Sequence, residues 1–261
     1  MDPFSGQVAI NRMEAGFSAA AQDLCEASKT ERNGWVLFIA LNMYLIACLA
    51  SVNHTTLLLS TPIKLPIISA DVELVTFIIF APIVLLVVHF HLLMQHALLA
   101  RKVRNLHDRV AKFEGKEHFR MHPVRAHLHS YFYTQLIAGP FKSMFLRLLL
   151  LLTSWSTLTL LPLTVLLGFQ IAFLPFHDMD ITWLHRVYVI ADLLIIVIVG
   201  IFIRFPEKGF VTGFGASLIL TPLHTLTMLI VGLATLSFSL TIATIPDEPM
   251  DRVMASLWPM P

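Results

Sequence analysis

Charge is scarce in this sequence. Of its 261 residues, 13% are Asp, Glu, Lys or Arg and 56% are hydrophobic, and the mean hydropathy is +0.75. Soluble domains carry about 25% charged residues. Half that share cannot cover a water-facing surface, so lipid has to be the solvent for much of the chain. The net charge of +1 gives nucleic acid nothing to bind. Cysteine is nearly absent as well. Cys25 stands in a polar N-terminal segment and Cys48 in the first apolar run, which reads as two separate thiols rather than a disulfide. There is no phosphate loop, no HExxH, no GxSxG and no pair of CxxC motifs, so no familiar catalytic constellation is in view. The lack of two related halves lowers the expectation of a transporter. No apolar leader opens the chain, so the first membrane segment is expected to do the targeting.

What the sequence has is long uncharged runs. A helix needs about 20 apolar residues to cross a bilayer core of about 30 Å. Between Arg147 and His177 there are 29 residues without a charge, which predicts a span that tilts or kinks near Pro162. Further spans are expected at 35–50, at 75–94 around Pro82, and at 183–203. Lys208 and Asp247 enclose 38 uncharged residues, too many for one span. Gly209, Gly213 and Gly215 at their start and Pro222 within them predict a broken or interfacial stretch to about 220, then a span to about 243. A re-entrant pair is the alternative, and it would move the C-terminus to the other side. Gly213-x-x-x-Ser217 is a spacing that lets helices approach closely.

Between the first two spans, Pro62 and Pro66 exclude one long helix and predict a small extended hairpin. Asn53-His54-Thr55 fits a glycosylation sequon. Beyond the second span a polar helix should continue, with Val103, Leu106, Val110 and Phe113 forming one apolar stripe against a neighbouring loop. The expected architecture is an all-α polytopic bundle of about five spans. It comprises a polar N-terminal segment 1–34, a transmembrane domain 35–245 with a basic loop 96–147, and a polar tail 246–261. With the N-terminus cytoplasmic, every Lys and Arg except Lys64, Arg186 and Arg252 falls inside, as the positive-inside rule requires.

Few polar side chains interrupt the apolar runs. Asp192 lies nine residues past Trp183, roughly 13 Å along a helix, near mid-membrane. A carboxyl group there faces other helices or a cavity. Pairing with His224 is one reading. A hydrogen bond to a hydroxyl, with Ser154–Thr159 of the third span as the partner face, is the preferred one. Gln170 joins Asp192 and His224 as a third candidate for a shared polar cavity. His89, His91 and His96 crowd the end of the second span, where His89 and His96 share a helix face and His91 points away. His177, Asp178, Asp180 and His185 are of metal-ligand type but match no strong motif. Asp178 or Asp180 as a helix cap is the better reading, with Trp183 and Arg186 as interface anchors. No cofactor is expected, and a haem or divalent metal at these histidines is the alternative.

Four stretches, GWVLFIALNMYLIACLAS, LLLSTPIKLPIISADVEL, FIIFAPIVLLVVHFHLLMQHALLA and FLPFHDMDITWLHR, are similar to the N-terminal membrane region of bacterial pentapeptide-repeat membrane proteins. The similarity covers roughly residues 33–250. In that family tandem repeats follow the membrane region. Here the only A-D-L match, Ala191-Asp192-Leu193, sits inside a span. The resemblance implies a bacterial inner-membrane address and transfers no site residues. The function expected is a non-catalytic anchor or accessory subunit of a larger membrane assembly, in contact with lipids and other membrane subunits and not with nucleic acid. A small-solute, ion or proton transporter is the runner-up, and a metal- or haem-dependent enzyme the third class.

Overall fold

A computed structural model describes residues 3–52, 62–64, 71–114, 131–138, 143–176, 178–205 and 207–242. The first helix, α1 (Pro3–Ser51), has 49 residues, and α2 (Leu74–Glu114) has 41. At 1.5 Å per residue they are roughly 74 and 62 Å long, about twice what a bilayer core of about 30 Å demands. No proline falls between Pro3 and Pro62 to stop α1. The polar segment expected before the first span is therefore not a separate piece but the same helix. Between α1 and α2, β1 (Ile63–Lys64) pairs antiparallel with β2 (Asp71–Val72), Ile63 opposite Val72 and Lys64 opposite Asp71, which is the extended hairpin the prolines predicted. The sequon at Asn53 and the tail from 243 lie outside the described residues.

After a short α3 (Phe132–Ala138) the third span is built in three parts. These are α4 (Met144–Trp155), a π-helical turn (Ser156–Leu160) and α5 (Leu161–Phe173). The kink expected at Pro162 takes this form because a proline supplies no N–H to the preceding turn, which widens to re-pair its carbonyls. At the start of this turn the Ser156 and Thr157 hydroxyls both donate to Thr153 O, at 3.1 and 2.7 Å. A 3-10 turn (Leu174–Phe176) leads towards α6 (Met179–Arg204). The long last run is broken as its prolines and glycines predict, into α7 (Phe210–Leu220) and α8 (Pro222–Thr241).

Among the described residues, five helices are long and apolar enough to cross a membrane: Ser18–Ser51, Leu74–Asp108, Met144–Phe173, Met179–Arg204 and Pro222–Thr241. Their outward stripes carry large apolar side chains, such as Phe80, Val84 and Val87 on α2. Such stripes would aggregate a soluble protein and suit a lipid-facing one. The protein is an all-α, multi-pass membrane protein.

The helices sort into two compact units, residues 1–37 with 92–158 and residues 38–91 with 159–261. In the first, Val103 and Leu106 of α2 pack with Leu24 of α1 and with Tyr131 and Tyr133. The described half of the α2 stripe thus packs on α1 as well as on the 131–133 segment, while the side chains of Val110 and Phe113 lie outside the described ones. Trp35 belongs to the same cluster, with its ring 5.2 Å from Phe132 and its N–H donating to Thr157 Oγ1 at 3.2 Å. In the second unit, Phe38, Ile78, Leu85, Phe169 and Val189 are fully buried. Gly213 lets α7 close on α6, since a Cβ there would stand 2.7 Å from Ile201 Cγ2.

Candidate functional site

A polar atom buried among apolar helices has to find a partner within the protein. Most of the buried polar groups in the second unit answer a need created by a proline or a helix end. Pro82, inside α2, has no N–H for the carbonyl four residues back, Ile78 O, and its ring disturbs the turn. His185 Nε2 approaches Ile78 O at 3.4 Å, and Tyr188 O–H donates to Ile79 O at 3.1 Å. His185 therefore carries its proton on Nε2 and serves as a proline repair. At the α7–α8 break hydroxyls join the two helices: Thr225 Oγ1 donates to Ser217 O at 3.0 Å, beside the Thr221 N–H that also reaches it, and lies 2.7 Å from Ser217 Oγ. Gln170 and Ser239 exchange two hydrogen bonds of 2.7 Å, stapling α5 to α8.

The repair assigned to His185 is testable. Pro82→Ala returns an N–H to Ile78 O. His185→Phe, which keeps the ring, should cost about 1–3 kcal/mol in the native background through an unmet buried carbonyl. In the Pro82→Ala background it should cost less than half as much. Detergent unfolding of the four proteins reads the difference, and equal costs in the two backgrounds would remove the assignment.

Arg186 is a correction. It is not a surface anchor: it is 1% exposed. Its guanidinium lies 4.5 Å above the Trp183 ring and donates to Leu240 O, 3.4 Å away in the last turn of α8. The carbonyls at a helix C-terminus lack intrahelical donors and carry partial negative charge, so they hold a buried cation well. Asp178 is the cap expected of it. Its Oδ1 accepts from the Asp180 and Ile181 N–H groups at 2.9 and 3.1 Å, and Asp180 adds a favourable charge in the first turn of α6.

Two pairs answer no proline and no helix end. Asp192 Oδ1 lies 2.6 Å from His89 Nδ1, with both side chains essentially inaccessible. Phe38 stacks on the His89 ring at 5.1 Å and 22° and fixes its plane. Asp192 Oδ2 has no hydrogen-bond partner among the described residues. Asn42 follows Phe38 by one turn on α1 and donates to Phe38 O at 2.8 Å, while its Oδ1 is likewise without a donor among the described residues. The second pair is in the other unit. His96 Nδ1 donates to Leu92 O at 2.8 Å and lies against Glu31 Oε1. The ring N–H is aligned on the carbonyl, so Glu31 Oε1 lies beside the ring without accepting a hydrogen bond from it. Burial holds the Tyr131 phenol above its ordinary range, and Glu31 and Tyr133 push the same way. Tyr131 thus keeps its proton and donates to His96 Nε2 at 3.1 Å.

Asp192, His224 and Gln170 do not share one cavity. Asp192 pairs with His89 rather than with His224 or the hydroxyls of Ser154–Thr159, and Gln170 is consumed by Ser239. His224, in the first turn of α8, lines a cleft of about 270 Å³ together with Arg204. The metal candidates do not converge either. His89 and His96 face separate carboxylates, His91 is exposed, Asp178 caps α6, and His185 faces Ile78 O. His177 lies outside the described residues. Among the described residues no three His, Cys, Asp or Glu side chains gather as a metal site would require. Compared with protein-family models, curated proteins and solved structures, the chain matches none.

Proposed function

We propose that this chain is a non-catalytic integral membrane subunit, a scaffold or anchor within a larger membrane assembly. The observation that carries the reading is how the buried polar groups are spent. His185, Tyr188, Arg186, Gln170, Ser217 and Thr225 all mend or join helices, which makes a rigid body and leaves few groups for chemistry. Two further features fit. The helices α1 and α2 run far beyond the length of a span, giving an attached helical unit for a partner to grip. Also, α4 buries none of its own residues, and Met144 and Phe145 are 88% and 69% exposed, an apolar face for lipid or a second subunit. The address is the bacterial inner membrane, with the N-terminus and the 96–147 segment cytoplasmic by the positive-inside rule. That agrees with the likeness of residues 33–250 to the membrane region of pentapeptide-repeat proteins.

Extraction in native lipid particles tests the proposal. A membrane protein should co-purify in fixed stoichiometry and be lost when Phe145 and Leu148 on α4 are both changed to Ala. The second reading, proton-coupled transport, is favoured by one observation, the unmatched Oδ2 of Asp192 in mid-span. A lone protein that drives proton-coupled flux in liposomes, abolished by Asp192→Asn, would replace the subunit reading with this one.

A further inference from the structure

We propose that the cleft between α6, α7 and α8 binds an anionic phospholipid, with one acyl chain along its apolar wall and the phosphate at Arg204. The lining runs along α6 from Ile190 to Arg204, 14 residues or roughly 21 Å. Half a bilayer core is about 15 Å, so the trough takes one chain of one leaflet and the start of its head group. Its walls are almost wholly apolar, Leu193, Val197, Leu229 and Leu236 among them. Arg204 closes one end. One apolar trough with one cationic end matches an amphiphile with an anionic head. A guanidinium is suited to phosphate because its planar fork can donate two parallel hydrogen bonds.

The glycines sharpen the argument. Gly213 is demanded by close helix approach. Gly200 on α6 and Gly232 on α8 also line the cleft, yet a Cβ at either would meet nothing within 4 Å. Helix packing does not require their bareness. Its effect is to keep the trough open, and an open apolar trough forfeits dispersion contacts unless a chain occupies it.

The test uses the full chain in mixed micelles, titrated with phosphatidylglycerol or with phosphatidylcholine of the same acyl chains. Thermal unfolding and native mass spectrometry are the readouts. Phosphatidylglycerol should raise Tm by several degrees more than phosphatidylcholine, as a ligand selective for the folded state does (roughly 2–8 °C). Arg204→Gln should weaken phosphatidylglycerol binding on the order of tenfold, the loss of one charge-assisted contact. Arg204→Lys should fall between. Gly200→Leu with Gly232→Leu should fill the trough and erase binding of both lipids. Should that protein fail to fold, Gly232→Ala alone reads the same direction, since its Cβ enters open space. Equal effects of the two lipids on the native chain would overturn the anionic recognition. Full phosphatidylglycerol binding by the filled variant would overturn the place, and an equal response to oleate would make the occupant a fatty acid rather than a phospholipid.

Discussion

Replacing His89 by Ala lowers stability by about 3–5 kcal/mol, the cost of stranding one partner of a buried ion pair. The size follows from the geometry. A neutral hydrogen bond between membrane helices is worth only about 0.6 kcal/mol on average, because unfolded helices in lipid find other partners. The 2.6 Å contact between His89 Nδ1 and Asp192 Oδ1 is short enough to be charge-assisted, and both groups are shut off from water. A carboxylate left alone there has Oδ2 already without a donor among the described residues. Asp192→Ala should cost a similar amount. Changing both residues to Leu should recover most of the loss, since apolar replacement of a whole buried pair is close to neutral. The double-mutant cycle is measured by unfolding in mixed micelles. Single losses near 0.6 kcal/mol that simply add would show a neutral, weakly coupled contact and sink the ion pair.

That pair marks the limit of what the sequence discloses. The spans were legible because their signal is local. Uninterrupted apolar length and the placement of prolines fix where a helix can cross, where α5 follows a π turn and where α7 parts from α8. Asp178 as a cap was legible for the same reason, being three residues from the N–H it accepts. Which helices are neighbours is not local. Asp192 was expected to meet His224 or the hydroxyls of the third span, and it meets a histidine 103 residues away. A signal existed. His89 is 15 residues into α2 and Asp192 is 13 into α6, so in two spans crossing in the same direction they stand at nearly equal depth, roughly 20–22 Å. His224 is two residues into α8 and far too shallow. Arg186 misled in the opposite sense, because the carbonyl that receives its charge belongs to a helix end 54 residues on.

His96→Ala should loosen the N-terminal part of α1, and the effect should be as large as at His89. The ring is fully buried and stands edge-on to Tyr133 with centroids 4.3 Å apart, so its removal opens a void. It also leaves Tyr131 O–H without the acceptor it uses and Glu31, 4% exposed, without the ring it lies against. Together these should cost about 3–5 kcal/mol, the cavity left by a large buried ring plus an unmet polar group. A second polar tie of this stretch is the buried 2.6 Å contact between the Ser28 and Thr134 hydroxyls, and a single hydroxyl pair is worth about 1 kcal/mol. Local opening of the 18–34 stretch should therefore become about two to three and a half orders of magnitude more frequent, at 1.4 kcal/mol per tenfold. Lys29 and Arg32 are exposed on that stretch, which makes trypsin the probe. Cleavage there should accelerate by at least about two orders of magnitude while cleavage at Arg101 and Lys102 on α2 changes far less. Glu31→Leu with His96→Leu should return cleavage towards the native rate, because no buried charge is then left. Unchanged cleavage at Lys29 in His96→Ala would mean that apolar packing of Leu24 against Leu99, Val103 and Leu106 holds the helix without the polar pair.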